Sequence, residues 1–120
     1  MWSYSQSSGQ ITWDDEAIGI GYSGHGVGKN NPMMQAIKDV GPIPQGTYSI
    51  GEPFDTESHG PFVLRLSPTG ATNTFGRSGF LIHGDSVCTP GLASEGCIIL
   101  SRVAREHIAR SEDKDLTVAA

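Results

Sequence analysis

Gly79-Phe80-Leu81-Ile82-His83 is the stretch of sequence that decides the fold. It is an apolar run that contains aromatic and β-branched side chains, and such side chains pack well on the pleated surface of a sheet. Phe62–Leu66 has the same character, and Gly96–Leu100 follows with Cys97 inside it. We therefore predict three strands, and we expect those at residues 62–66 and 79–83 to be central.

Alternating polar and apolar residues predict further strands on both sides of this region. Residues 2–4 form one arm of a predicted hairpin, residues 7–9 its turn and residues 11–13 the other arm. The segment 41–46 contains two prolines, which fix φ, and it predicts a rigid turn. The other expected strands are residues 17–22, 47–50 and 116–118.

Two short helices are expected. Pro32 suits the first position of a helix that continues to Ile37. Ser101 is expected to cap a second helix that has one apolar stripe. The predicted stripe consists of Val103, Ala104, His107 and Ile108, and the arginines expected to face elsewhere are Arg102, Arg105 and Arg110.

Length and composition favour one β-rich domain. A chain of 120 residues can bury one core but is too short for two. Its 16 glycines and 7 prolines indicate many turns rather than long helices. We therefore predict a single mostly β domain over residues 1–120, a β-sandwich or barrel-like sheet with one or two short helices.

The charge pattern argues against two classes of partner. The net charge is −5, from 13 acidic and 8 basic residues, and the basic residues form no cluster that could neutralise a nucleic-acid backbone. The longest apolar run, Phe80–Ile82, is far shorter than the roughly 20 residues of a membrane-spanning helix. We expect neither nucleic-acid binding nor membrane insertion. The first nine residues lack the pattern of a secretory signal peptide, so we expect synthesis in the cytoplasm without one.

A cysteine and a histidine are the residues that could carry chemistry. A thiol becomes a nucleophile when an imidazole or N–H dipoles favour the thiolate, and Gly96 would let a substrate carbonyl approach Cys97. The turn-rich loop after His83 could place its imidazole beside Cys97. The residues alone leave the alternative open that Cys97 is an unreactive buried thiol and that His83 only satisfies local hydrogen bonds. Cys88 has no neighbouring glycine and is expected to be a partly buried structural thiol. A regulatory disulfide to Cys97 is the alternative.

Several segments resemble a known family. Gly41–Tyr48, Phe80–Asp85 and Ser94–Ile98 are similar, in this order, to the signature segments of the L,D-transpeptidase catalytic domain. More narrowly, the chain resembles the L,D-transpeptidase effectors that type VI secretion systems deliver, and this resemblance extends over nearly the whole chain. The segments that carry the narrower resemblance are Gly21–Gly26, Asn30–Pro32 and Phe75–Phe80. The resemblance implies an L,D-transpeptidase-like fold for the single domain.

The resemblance also implies a cysteine enzyme that uses no cofactor and no metal ion. Cys97 would be the nucleophile, His83 the general base and later acid, and Ser94 a catalytic-motif residue that supports Cys97 or contacts the substrate. Gly84 would orient the imidazole through its carbonyl group. The substrate would be the tetrapeptide stem of peptidoglycan, cut before its terminal D-alanine, and water, a D-amino acid or a second stem would resolve the acyl-enzyme. The backbone N–H groups of Gly96 and Cys97 are expected to bind the oxyanion.

The sequence departs from the family at two positions that bear on substrate binding. Glu95 stands where the family commonly carries a second histidine, and Ile99 stands where an arginine or asparagine often follows. Substrate carboxylates must therefore be bound elsewhere, and Arg77 and Arg102 are candidates because a guanidinium can grip a carboxylate bidentately. Asp85 is a further candidate that is also expected to steady its loop. Tyr22, Ser23 and His25 are the remaining candidates for the substrate groove, whereas His59 is expected to be merely exposed and His107 to be a packing residue.

The resemblance implies an antibacterial effector that is secreted into the periplasm of target bacteria. Its partners would be peptidoglycan stem peptides, a component of the secretion system and a periplasmic immunity protein. One alternative is a different cell-wall cysteine peptidase or amidase, which is disfavoured because in papain-like enzymes the cysteine opens a helix and precedes the histidine. The other is a metal-binding or interaction module, which is disfavoured because Cys88 and Cys97 lack the paired spacing of zinc ligands.

Overall fold

A single mixed sheet of ten strands carries the fold in the computed structural model, which describes residues 1–120. The strands pair in the order β3-β2-β1-β10-β5-β7-β8-β9-β4, and β6 pairs with β7 outside this path. They are β1 (Trp2–Ser5), β2 (Gln10–Trp13), β3 (Glu16–Ile20), β4 (Tyr22–Ser23), β5 (Gly46–Ile50), β6 (Phe54–Thr56), β7 (Gly60–Thr69), β8 (Leu81–His83), β9 (Ile98–Ile99) and β10 (Asp115–Ala119). The prediction of a mostly β fold is confirmed.

Two pairings in this sheet are parallel and bring distant parts of the chain together. The strand β1 pairs in parallel with β10, and β8 pairs in parallel with β9. The other neighbours are antiparallel, including the predicted hairpin of β1 and β2. A two-residue turn joins β2 to β3, and both of its residues, Asp14 and Asp15, have positive φ, as the tightest hairpin turns require.

The one α-helix, α1 (Arg102–Arg110), covers the hydrophobic core beside the sheet. Ser101 caps it as predicted, since its side chain accepts a hydrogen bond from the Ala104 N–H. The predicted apolar stripe is wrong in part, because Val103 and His107 are exposed whereas Arg105 is buried. Hydrogen bonds from the Arg105 guanidinium to backbone carbonyls allow this burial.

The predicted helix over residues 32–37 is only a 3-10 turn, Pro32–Met34. The Asn31 side chain caps this turn by accepting a hydrogen bond from the Met33 N–H. The backbone hydrogen bonds that follow, from Gln35 to Pro32 and from Ile37 to Met34, run from residue i to i−3, so no α-helix forms. A second 3-10 turn, Gly26–Gly28, precedes it. None of the helices has the length and apolar character needed to cross a membrane.

The core forms where the central strands meet α1. Ile82 of β8 and Ile98 of β9 are both 0% exposed, as are Leu64 of β7 and Ile108 of α1. These side chains belong to one cluster of 16 buried apolar residues. The ends of β8 and β9 are thereby fixed against the rest of the molecule, and the residues on their opposite face form the candidate site.

Candidate active site

His83 and Cys97 lie on the same face of neighbouring strands. In the parallel pair β8 and β9, Ile82 is opposite Ile98 and His83 is opposite Ile99. Side chains alternate between the two faces of a sheet along each strand. Ile82 and Ile98 point into the core, so their chain neighbours His83 and Cys97 point to the opposite face. Both residues line a cleft of about 800 Å³. The structure thus brings together the two residues that the sequence marked for chemistry.

The His83 ring has a defined tautomer. Its Nδ1 lies 2.9 Å from the Gly84 carbonyl oxygen, which can only accept, so Nδ1 carries the proton and Nε2 of the neutral ring is an acceptor. Burial lowers the pKa of His83, the hydrogen bond to Gly84 acts against this, and the nearby charges of His59 and Arg105 lower the pKa further. His83 is therefore neutral near pH 7 and able to accept a proton.

The Cys97 thiol is protonated in the resting protein. Its Sγ lies 3.8 Å from the Gly79 carbonyl oxygen, to which the thiol donates a weak hydrogen bond. Burial raises the pKa of Cys97, while a hydrogen bond from the Leu81 backbone and the positive charge of Arg77 act in the opposite direction. The thiolate must then form by proton transfer during the reaction, and a neutral imidazole is the group that can take the proton.

Ser94 organises the turn before Cys97. It is 0% exposed, and its Oγ accepts hydrogen bonds from the N–H groups of Gly24 at 2.9 Å and Gly96 at 3.1 Å. The same hydroxyl donates to the Cys97 carbonyl at 2.7 Å. All three hydrogen-bonding capacities of this hydroxyl are thus used within the protein, and Ser94 does not line the cleft.

Only one of the two expected oxyanion donors is free. The Gly96 N–H is bonded to Ser94, so its expected role as an oxyanion donor is wrong in this arrangement. The Cys97 N–H has no acceptor within the protein and remains free to donate. Gly96 is needed for its backbone instead, because its φ is +134° and a β-carbon there would lie 2.3 Å from Nη2 of Arg77.

Tyr22 and Ser23 support the site from the neighbouring strand β4. Ser23 is 0% exposed. Its Oγ accepts from the Ile43 N–H at 2.9 Å and donates to the Gly96 carbonyl at 3.4 Å. The Tyr22 hydroxyl donates to Asp85 Oδ1 at 2.6 Å. Burial raises the pKa of Tyr22 to about 12, so this hydroxyl stays a donor at every pH of interest. Both side chains hold the loops around Cys97 and lie outside the Cys97 cleft.

Asp85 steadies the loop between His83 and Cys97. Its carboxylate accepts hydrogen bonds from the N–H groups of Ser86 and Gly91 as well as from Tyr22. Burial alone would raise the pKa of Asp85, but these hydrogen bonds outweigh burial and lower it. Asp85 is ionised near pH 7, and its carboxylate is hydrogen-bonded within the loop. Asp85 also forms part of the cleft wall.

Arg77 lies in the cleft wall close to Cys97 but is largely engaged by the backbone. It is 6% exposed, and its guanidinium donates to the carbonyl groups of Gln35, Pro42 and Gly41. These contacts use three of its five N–H donors. Its positive charge acts to lower the pKa of Cys97.

Arg102 and His25 are not part of the Cys97 cleft. Arg102 is exposed, stacks over the Phe62 ring at 4.4 Å and pairs with Glu106 at 3.5 Å. It lines a second cleft of about 520 Å³, which shares Gly84, Asp85 and Arg105 as wall residues with the first. His25 is exposed and lines neither cleft. Neither residue is brought next to Cys97.

Sequence reasoning missed two residues that touch the site. His59 is exposed as expected, yet its ring centroid lies 4.7 Å from that of His83, and it lines the cleft. No local pattern signals this contact, because it joins the loop before β7 to the end of β8. Arg105 is buried in the cleft wall. Its spacing of three from Ile108 on the helix was the available signal.

Three further observations bear on the alternatives that the sequence left open. No group of three or more His, Cys, Asp or Glu side chains lies close enough to hold a metal ion. Cys88 and Cys97 are both free thiols. The expected partial burial of Cys88 is wrong, because this residue is exposed in its loop. Cys97 precedes a strand and not a helix, unlike the nucleophile of papain-like enzymes.

Comparison with known proteins identifies one family. The model of the Tlde1 domain matches residues 19–119 of the chain. The search of curated proteins found no match to the chain. The matched region contains every residue of the Cys97 cleft, and it begins within β3.

Proposed function

The chain belongs to the Tlde1 domain family, a family of type VI secretion effectors, and we propose that it is a cysteine enzyme that attacks peptidoglycan stem peptides. One observation carries this proposal. Cys97 and a neutral His83 with a free Nε2 share one face of adjacent strands in one cleft. A thiol and an imidazole in such an arrangement are suited to acyl transfer.

The first half of the proposed reaction forms an acyl-enzyme. Nε2 of His83 takes the thiol proton as Cys97 Sγ attacks the carbonyl carbon between the third residue of the stem and the terminal D-alanine. A carbon–sulfur bond forms and the carbon–nitrogen bond breaks. His83 then returns the proton to the leaving nitrogen, so D-alanine departs with a neutral amine and the tripeptide stays on Cys97 as a thioester.

Two groups support this step electrostatically. The free N–H of Cys97 is a donor for the oxyanion of the tetrahedral intermediate. The Arg77 guanidinium, fixed by backbone carbonyls, stabilises negative charge on the sulfur. Because both groups are held rigidly before the substrate arrives, they need no reorganisation during the reaction.

The second half of the reaction decides the product. Water, activated by His83, releases a tripeptide and makes the protein an L,D-carboxypeptidase. A free D-amino acid gives an exchanged tetrapeptide, and the amine of a second stem gives a cross-link. Trimming and exchange both remove the tetrapeptides that a target cell needs as donors for its own cross-linking.

The proposed biology follows from the family and the substrate. As an antibacterial effector, the protein passes from the cytoplasm of the producing cell into the periplasm of target bacteria, where peptidoglycan is accessible. Its proposed protein partners are a component of the secretion system and a periplasmic immunity protein. The exposed cleft around Cys97 is the surface that such an inhibitor would block.

A thioester on Cys97 is the most specific sign of this mechanism. We expect the intact mass of the protein, quenched in acid within seconds of mixing with a tetrapeptide stem, to increase by the mass of the tripeptide acyl group. The Cys88→Ser variant should show the same adduct, whereas Cys97→Ala should show none. An adduct on Cys88, or turnover of the tetrapeptide by Cys97→Ala, would contradict the proposal.

A further inference from the structure

One buried charge has no role in the chemistry proposed above. Arg105 is 7% exposed and forms no ion pair. Its Nε donates to the carbonyl groups of Leu100 and Ser101, and its Nη1 donates to those of Pro61 and Phe62. Its Nη2 has no acceptor within the protein. Two N–H donors of a nearly buried cation are therefore unpaired.

The free Nη2 of Arg105 lies beside the candidate catalytic histidine. It is 2.8 Å from the position that a β-carbon on Gly84 would occupy, and the Gly84 carbonyl is the group that holds the His83 ring. Arg105 lines both the Cys97 cleft and the second cleft, which also share Gly84 and Asp85 as wall residues. A ligand that extends from Cys97 past His83 therefore reaches this nitrogen.

A carboxylate is the group that completes this arrangement. Burying a cation without a partner is costly, and a guanidinium with a free edge matches the geometry of a carboxylate. Asp85 does not supply the partner, because its oxygens accept from Tyr22, Ser86 and Gly91. The absence of an internal anion leaves the free edge of Arg105 available to a ligand.

We propose that Arg105 binds a carboxylate of the stem peptide and so selects stems that carry a free carboxylate. This inference rests on the proposed function. The carboxylates on the two residues that flank the scissile bond are those of the terminal D-alanine and of the third residue's side chain when that residue is diaminopimelate. Binding of a substrate carboxylate is the role that the sequence predicted for Arg77 or Arg102.

Binding measurements with unreactive protein test the proposal. In a Cys97→Ala background, calorimetry compares three tetrapeptides: the free acid with diaminopimelate, its terminal amide, and the free acid with lysine as third residue. Loss of the carboxylate that Arg105 binds should weaken binding roughly 10- to 100-fold. Arg105→Gln should remove this preference, and Arg105→Lys should restore part of it. Arg110→Gln, which removes an exposed charge from the same helix, is the control and should keep the preference.

Arg105 also donates hydrogen bonds to backbone carbonyls, so its substitution could disturb the fold. Comparison of the three peptides separates recognition of a carboxylate from this structural role. If Arg105→Gln binds the peptide without the critical carboxylate as well as its parent does, the fold and the rest of the cleft are intact. An equal loss of affinity for all three peptides would overturn the inference, as would failure of the parent to prefer any of them. If the carboxylate preference is observed but the protein with an intact Cys97 cleaves none of the peptides, the proposed function is overturned and the carboxylate subsite stands.

Discussion

At the scale of single residues, the candidate catalytic pair is neutral at rest. Burial raises the pKa of Cys97 and lowers the pKa of His83, so a thiol and an imidazole face the cleft rather than a thiolate and an imidazolium. The sulfur is then protected from unspecific oxidation and alkylation until a substrate is in place. The proton moves when the carbonyl of the substrate is attacked, and the His83 tautomer is already the one that can receive it.

This neutral pair has a definite pH dependence. The acid limb of kcat/KM reports protonation of His83, and its midpoint should lie below 6.5, the ordinary value, because burial lowers the pKa of His83. In His59→Gln the midpoint should move to higher pH, since His59 lowers the pKa of His83 and its removal makes protonation easier. His107→Gln is the matched control because His107 is exposed on α1 and lines neither cleft. An acid limb that stays in place or moves to lower pH in His59→Gln would refute this assignment.

Site residues were predictable from the sequence only where residues adjacent in the chain form a recognisable pattern. A glycine before Cys97 and a histidine at the end of an apolar strand mark the pair, and Gly84 follows directly as the carbonyl that orients the ring. The contact between His59 and His83 joins the loop before β7 to the end of β8, and no local pattern encodes such a contact. Catalytic roles for Cys97 and His83 remain predictions that only chemistry tests.

At the scale of elements, the turn before Cys97 is held by side chains from several segments. Ser94 bonds to Gly24, Gly96 and Cys97, and Ser23 bonds to Gly96 and Ile43. Short strands cannot hold a nucleophile alone, since β9 contains only Ile98 and Ile99. The two buried hydroxyls therefore replace the longer backbone ladder that would otherwise fix Cys97.

We predict that Ser94→Ala lowers kcat far more than it raises KM. Removal of the hydroxyl leaves two N–H groups and one carbonyl without their partner, which should cost about 1–3 kcal/mol in the free energy of unfolding. Misplacement of Cys97 should reduce kcat by roughly 10- to 100-fold. Urea denaturation and steady-state kinetics check both effects. Ser3→Ala, at an exposed site without a side-chain hydrogen bond, should change neither, and a selective rise in KM for Ser94→Ala would contradict a positioning role.

Strands and helices are likewise predictable from sequence where local pattern determines them, and not where contacts with distant residues do. Alternation of apolar residues predicts β1, β2, β5 and β10, because one face of each strand is buried. The predicted helix after Pro32 is wrong because the hydrogen bonds there run from residue i to residue i−3, from the Gln35 N–H to Pro32 and from the Ile37 N–H to Met34. Burial of Arg105 in α1 depends on carbonyl groups at the start of β7, which lie more than 40 residues away in the chain. Distant partners of this kind leave no mark on local sequence.

At the scale of the whole molecule, the sheet extends beyond the region matched by the family model. That region begins at residue 19, whereas β1 lies inside the sheet between β2 and β10. Trp2, Tyr4 and Ile11 of the first hairpin are all at most 2% exposed. The hairpin therefore supplies part of the core for a site that lies elsewhere in the molecule.

Deletion of residues 1–18 should abolish cooperative folding. Loss of a single large core side chain typically costs about 2–5 kcal/mol, and three such losses approach or exceed the roughly 5–15 kcal/mol of stability of a typical domain. Urea titrations followed by circular dichroism should show no cooperative transition. Ile20→Ala, at a side chain that is 73% exposed, should stay within about 0.5 kcal/mol of the parent. A cooperative transition at the parental midpoint after the deletion would show that the hairpin is dispensable.

The most direct test of the central claim is digestion of purified sacculi, with muropeptides read by mass spectrometry. The parent protein and Cys88→Ser should convert tetrapeptide stems by loss of D-alanine, by exchange of that residue or by a new cross-link, and Cys97→Ala should leave them unchanged. Tetrapeptides that remain intact with the parent protein, or that disappear equally with Cys97→Ala, would contradict the account.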